Sequence, residues 1–210
     1  MTQRARRFLI NHISRNIILY IITASVFILG IVLGSYMVGF LGPEQKKELL
    51  KYLDIFLNGL SQWDYDPTVL VQQAIYNNLK IIFSIWFLGL TVIGVPLILL
   101  ILFFRGFAMG FTIGFLVRQK ALQGLMISLL AIIPPSLINI PATILGAAAA
   151  ISFSCWLVKG RDKGTSSILQ QFIAYCFIML VISLLVSVMG LVEAHISPTF
   201  IKLITDYTAL

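Results

Sequence analysis

The sequence predicts an all-α polytopic membrane helical bundle of about five transmembrane spans, with broken or half helices in the middle region. Three observations predict it. Of 210 residues, 59% are hydrophobic and only 11% are charged, and the mean hydropathy is +0.98, outside the range of water-soluble domains. Three uncharged stretches, Ile17 to Leu41, Ile81 to Phe104 and Gly164 to Val192, each exceed the roughly 20 residues a helix needs to cross about 30 Å of hydrocarbon. The charges that remain, 15 basic and 8 acidic, cluster between apolar stretches. So few polar side chains exclude a soluble enzyme and a disordered chain. The basic excess, without an aromatic-basic stripe or binding motif, speaks for membrane orientation and against nucleic acid as a partner.

The whole chain, 1–210, reads as one membrane domain. Residues 1–16 carry Arg4, Arg6, Arg7 and Arg15 with no acid, so the N-terminus is expected in the cytoplasm and span 17–41 runs outward. That stretch is too long for a signal-peptide core of about 7 to 15 residues. Segment 42–80 is nearly charge-balanced, Glu44, Glu48, Asp54, Asp64 and Asp66 against Lys46, Lys47, Lys51 and Lys80, and suits the extracytoplasmic side. Two short helices are expected in it. Pro43 opens the first, Leu49, Leu53, Phe56, Leu57 and Leu60 form its apolar face, and Asn58-Gly59 reads as its stop. Asp66-Pro67 opens the second. The apolar face serves equally as a docking surface for an extracytoplasmic partner or as a cap lying on the membrane.

Span 81–104 returns inward, Gly94 and Pro96 should kink it, and Arg105 is read as its cytoplasmic exit. Residues 159–163, with Lys159, Arg161 and Lys163 against Asp162, read as a cytoplasmic loop. Region 105–158 must then cross an even number of times, and two crossings are expected. Gly106 to Val117 is only 12 residues, too short to span, while Ala121 to Val158 is uncharged for 38 and is interrupted at Pro134-Pro135, with Asn139 and Pro141 beyond. Broken helices at membrane depth must be buried in protein or line a wet cavity, which leaves a compact core and a transporter-like pocket both open. Span 164–192 goes out again, leaving 193–210 as an extracytoplasmic tail.

Gly106, Gly110 and Gly114, one glycine per turn, form a ridge on which another backbone can pack closely, and Gly30 and Gly34 repeat it in the first span. The ridge suits packing within one chain or an interface with a partner; self-association stays open. Catalytic chemistry is not expected. His12 and His195 fall on opposite faces, Cys155 and Cys176 lie in separate apolar helices, and no phosphate loop, HExxH or GxSxG motif occurs. No cofactor and no metal site is expected, and the chain is expected not to be an enzyme.

The N-terminal basic span, the outer segment with Gln45-Lys46-Lys47, the run from Arg105 through Gly106, Gly110 and Gly114 to Val117, and Ile151-Ser152-Phe153-Ser154 together resemble the stage II sporulation protein M family of endospore-forming Firmicutes. The wider membrane family often carries a proline-histidine-glycine motif, then glutamate, then proline-alanine. Here the stretch reads Pro134-Pro135-Ser136-Leu137-Ile138-Asn139-Ile140-Pro141-Ala142, so Pro135 stands for the histidine and Asn139 for the glutamate, and an ion-coupled role loses its ionisable groups. The resemblance implies a multi-pass, non-enzymatic scaffold in the cell membrane on the mother-cell side of the sporulation septum. It would hold two peptidoglycan-degrading partners, stage II sporulation proteins D and P, thinning the septal wall to drive forespore engulfment. A membrane permease subunit working with a separate ATPase is the alternative. Beyond those proteins the expected partner is membrane lipid.

Overall fold

The computed structural model describes residues 17–62, 67–159 and 168–208, with helix backbone alone at 54, 56–62, 67–70, 120–123, 127, 130, 131, 135, 159 and 193–208. The described chain is almost entirely helical. In order it forms α1 (Ile17–Met37), a 3-10 turn (Val38–Phe40), α2 (Pro43–Gln62), α3 (Pro67–Gly89), α4 (Gly94–Ile127), a π-helical turn (Ser128–Ile132), α5 (Ile133–Lys159) and α6 (Ile168–Thr208). Four stretches are long and apolar enough to cross a membrane: Ile17–Phe40, Gly94–Gln119, Ser136–Val158 and Ile168–Val192.

α3 is less apolar and is not one of these four, but it sits beside α6. Gly190 of α6 packs on the Ile75 backbone, and at the other end of the contact the Tyr175 hydroxyl donates to the Trp86 carbonyl at 2.9 Å. Residues 75–86 of α3 therefore run antiparallel to 175–190 of α6. Pairings of the same kind set the remaining directions. α4 faces α1 in rising order, Gly106 over Phe27, Gly110 over Ile31 and Gly114 over Ser35, so these two are parallel. α5 is antiparallel to α6, with Gly146 against Met179 and Ile182 and Phe153 stacked on Tyr175 at 4.5 Å. Thus α1, α4 and α6 run one way and α3 and α5 the other, and the start of α1 and the end of α6 lie at opposite ends of the bundle. α5 is the central helix: 56% of its span is buried, against 22–28% in the other three. Its run Ala147–Ala150 is wholly buried, small side chains letting neighbours approach from every side.

Three expectations change. The apolar run Ile81 to Phe104 is not one kinked span. The chain reverses at residues 90–93, where Leu90, Thr91 and Gly94 amides donate to the Phe87, Leu88 and Thr91 carbonyls at 3.0–3.2 Å. Gly94 lies so close to the Leu88 carbonyl that a Cβ could not fit, and Pro96 follows in the first turn of α4, where no amide is needed. Ser154 of α5 holds the turn by donating to the Thr91 carbonyl at 2.9 Å.

The second change follows from the first. Arg105 is not a cytoplasmic exit but lies 11 residues past Gly94 inside the Gly94–Gln119 span, about 17 Å along it. Residues 106–117 are then the second half of a full crossing, not a separate short segment. The third concerns the return. A Cβ on Gly124 would collide with the carbonyl of Leu116, eight residues earlier and about 12 Å away in a straight helix, so α4 folds back on itself beyond its span. The descending limb passes through the π-helical turn into α5, whose first turn holds Pro134 and Pro135. These prolines open a helix rather than break one; Pro141 alone lies inside it.

At the margins, α2 continues past Asn58-Gly59 to Gln62, and α6 continues past Val192 as helix to Thr208. His12, Asp64, Asp66 and loop residues 160–163 lie outside the described residues.

Candidate functional site: a polar cavity inside the bundle

The α3–α4 reversal brings residues 27 apart in sequence face to face. Arg105 Nη2 donates to Asn78 Oδ1 at 3.1 Å, and Asn139 Nδ2 of α5 donates to the same oxygen at 2.9 Å. One amide oxygen thus ties α3, α4 and α5 together. Asn78 and Asn139 are 7% and 6% exposed, and Asn139 Oδ1 makes no hydrogen bond. The three polar groups line a cavity of about 130 Å³ together with Ser136, Phe27, Met109 and Ile140. A space of that size with several polar walls is large and polar enough for ordered water.

A guanidinium is charged at every physiological pH, and placing it within a span is costly unless it meets polar groups or a wet cavity. Here it meets both. The arrangement supplies fixed positive charge and amide dipoles; it offers no group that takes up and releases protons near neutrality. Among the described residues no three His, Cys, Asp or Glu side chains gather as metal ligands. Cys155 is exposed and Cys176 half-buried, both as free thiols.

Of the residues singled out from sequence, Asn139 lies in this cavity and Pro134, Pro135 and Pro141 frame its helix. Gly30, Gly34, Gly106, Gly110 and Gly114 come together, but elsewhere: all five are buried where α1 meets α4. A Cβ on any of Gly30, Gly34, Gly106 or Gly110 would run into backbone of the facing helix. Phe103, Phe107, Phe111 and Phe115 follow at successive turns, 6.3 Å apart ring to ring. Of the two uses open to the glycine ridge, the fold fills the one within the chain, so these glycines present no free surface to a partner. Leu49 and Leu53 are half-buried on α2; the side chains of Phe56, Leu57 and Leu60 lie outside the described residues.

Sequence reasoning missed Arg105, Asn78, Ser136, Met109 and Phe27. A signal was present: Arg105 is the sole charge between Ile81 and Val117, a stretch long enough for a hairpin of two helices rather than one span and a boundary.

No curated protein and no solved structure matches the chain. The stage II sporulation protein M family does, over residues 23–198, from the first third of α1 to beyond the span of α6. The glycine-locked parallel pair, the half-buried arginine and the central alanine-rich helix are therefore features of a sporulation-related membrane protein that belongs to the stage II sporulation protein M family.

Proposed function

We propose that the chain is a non-enzymatic membrane scaffold that recruits peptidoglycan-degrading partners, stage II sporulation proteins D and P, at the mother-cell side of the sporulation septum. There it drives septal wall thinning and engulfment. The observation that carries this reading is α2. It sits at the bundle end opposite the 90–93 turn, and its Tyr52 and Ile55 are 73% and 59% exposed, a mixed aromatic and apolar face that its own bundle leaves uncovered. Family membership supplies the context. With the basic N-terminus in the cytoplasm, α2 faces the cell wall, where such partners work. The hydrolytic chemistry then belongs to the partners.

Affinity purification of the tagged protein from sporulating cells in mild detergent tests it. Wall hydrolases with extracytoplasmic catalytic domains are the expected companions. A cytoplasmic ATPase without them would favour the second reading, a permease subunit, which the polar cavity around Arg105 supports. The orientation has its own check by labelling single introduced cysteines. Positions Gln45 and Thr208 should react in intact cells, Arg6 and Lys163 only after permeabilisation; the reverse pattern would turn α2 to the cytoplasm and remove the docking role.

A further inference from the structure

Helix α3 changes character halfway along its outward face. Phe83 and Phe87, 64% and 58% exposed, suit lipid, but one, two and three turns before Phe83 the same stripe continues as Lys80, Asn77 and Gln73, all exposed. The pairings of α3 set these three level with the apolar spans of its neighbours. Gly190 of α6 packs on Ile75, Ile82 shares a buried cluster with Ala142, Ile182 and Val186, and the apolar span of α6 reaches Val192. Asn78 is level with Arg105, near the middle of the α4 span. Lys80 therefore projects from the bundle close to mid-depth. A four-carbon stem reaches about 6 Å, whereas the register that sets Gly190 against Ile75 leaves Lys80 about 10 Å short of the span end at Val192. Lipid tails offer nothing to an ammonium and two primary amides.

We propose that Gln73, Asn77 and Lys80 form an intramembrane docking stripe for the transmembrane helix of a partner that carries a carboxylate near mid-span. The proposal rests on the scaffold reading and names the partner's chemistry. Charge and amide complementarity set that chemistry: an acid opposite Lys80, flanked by groups able to hydrogen-bond the two amides. A second copy of this chain does not fit. Its acidic residues are Glu44, Glu48, Asp54, Asp64, Asp66, Asp162, Glu193 and Asp206, and none falls within the four apolar spans.

The test uses the full chain in phosphatidylcholine vesicles with fluorescent leucine-rich single-span peptides bearing one central Glu, Gln, Lys or Leu, association being read by energy transfer. The Glu peptide should associate about tenfold more tightly than the Leu peptide, with Gln between them. Lys80→Leu should abolish that preference, and Lys80→Glu should transfer it to the Lys peptide. Lys80 is exposed, so neither substitution threatens the fold; Asn77→Leu, expected to weaken Glu-peptide association severalfold, is an independent check. Equal association of all peptides, or a preference that survives Lys80→Leu, overturns the stripe. In cells the two ideas separate. Wall hydrolases that co-purify undiminished with the Lys80→Leu chain overturn the stripe and leave the scaffold, while their absence from the wild-type purification overturns the scaffold whatever the peptides do.

Discussion

Gly110→Leu is expected to unfold the α1–α4 half of the bundle, whereas Gly146→Ala should be tolerated or slightly stabilising. The two glycines look alike in sequence, each inside an apolar helix. Their surroundings differ. A Cβ at Gly110 would overlap the Ile31 carbonyl and stand 2.7 Å from Ile31 Cα; both are backbone, so no rotamer change relieves the clash and the helices must part. Separation also strips contact from Gly30, Gly34 and Gly106, which lock the same pair. Overpacking of this kind costs about 3 kcal/mol even where some relaxation is available. At Gly146 a Cβ would lie 3.7 Å from two carbons of Ile182 and 3.8 Å from Met179 Sδ, ordinary contact distances. There the gain in helix propensity and the lower unfolded-state entropy favour alanine by up to about 1 kcal/mol. Heat denaturation of the purified variants in one detergent, followed by loss of helical circular dichroism, checks both; equal midpoints for the two would mean that α1 and α4 are not locked in this register. A glycine-to-leucine change in the ridge would therefore lose partner binding by damaging the chain itself, which makes Lys80 the cleaner position at which to test assembly.

What the sequence made legible was whatever hydrophobicity and periodicity encode. The class, the helix beginning at Pro43, the first and last apolar spans and the packing role of small residues all follow from uncharged length, proline position and glycine spacing. The reversal at residues 90–93 was hidden because a turn made of Leu90, Thr91, Val92 and Ile93 carries no polar signal; it is held by backbone hydrogen bonds and by Ser154 from a distant helix. Arg105 was hidden for a related reason. A charge beside a long apolar run reads as a boundary, and only the tertiary pairing with Asn78, 27 residues away in sequence and itself bonded to Asn139, turns it into a half-buried group inside the bundle. Pro134-Pro135 erred in the opposite direction, suggesting a mid-membrane break where the prolines sit in the opening turn of α5. The cavity was thus half visible, through Asn139 and its helix, and half absent, because its other wall depended on a hairpin that hydropathy averages away.

Removing Asn78 should harm the protein more than removing the arginine it serves. In Asn78→Leu the guanidinium of Arg105 and the amide of Asn139 both lose the oxygen that accepts from them at 3.1 and 2.9 Å, and a charge remains inside the bundle. Losing one hydrogen bond to a charged group and one to a neutral amide, with both donors left behind, costs about 2–4 kcal/mol. Arg105→Met deletes the charge together with its need, keeps most of the length of the side chain beside Met109 and Phe27, and should cost less, about 1.5 kcal/mol, the low end for a single hydrogen bond to a charged group. The double variant Asn78→Leu/Arg105→Met should then be more stable than Asn78→Leu alone, which is the diagnostic result: a second substitution that rescues the first can do so only if the arginine was the source of the damage. Asn139→Leu, by contrast, should not be rescued by Arg105→Met, since Arg105 keeps its acceptor on Asn78 in that background. A double-mutant cycle of thermal midpoints in detergent measures the coupling. Strict additivity of Asn78→Leu and Arg105→Met would show that Arg105 draws its compensation from elsewhere, and the three-helix tie through one amide oxygen would have to be abandoned as the element holding α3, α4 and α5 together at mid-membrane.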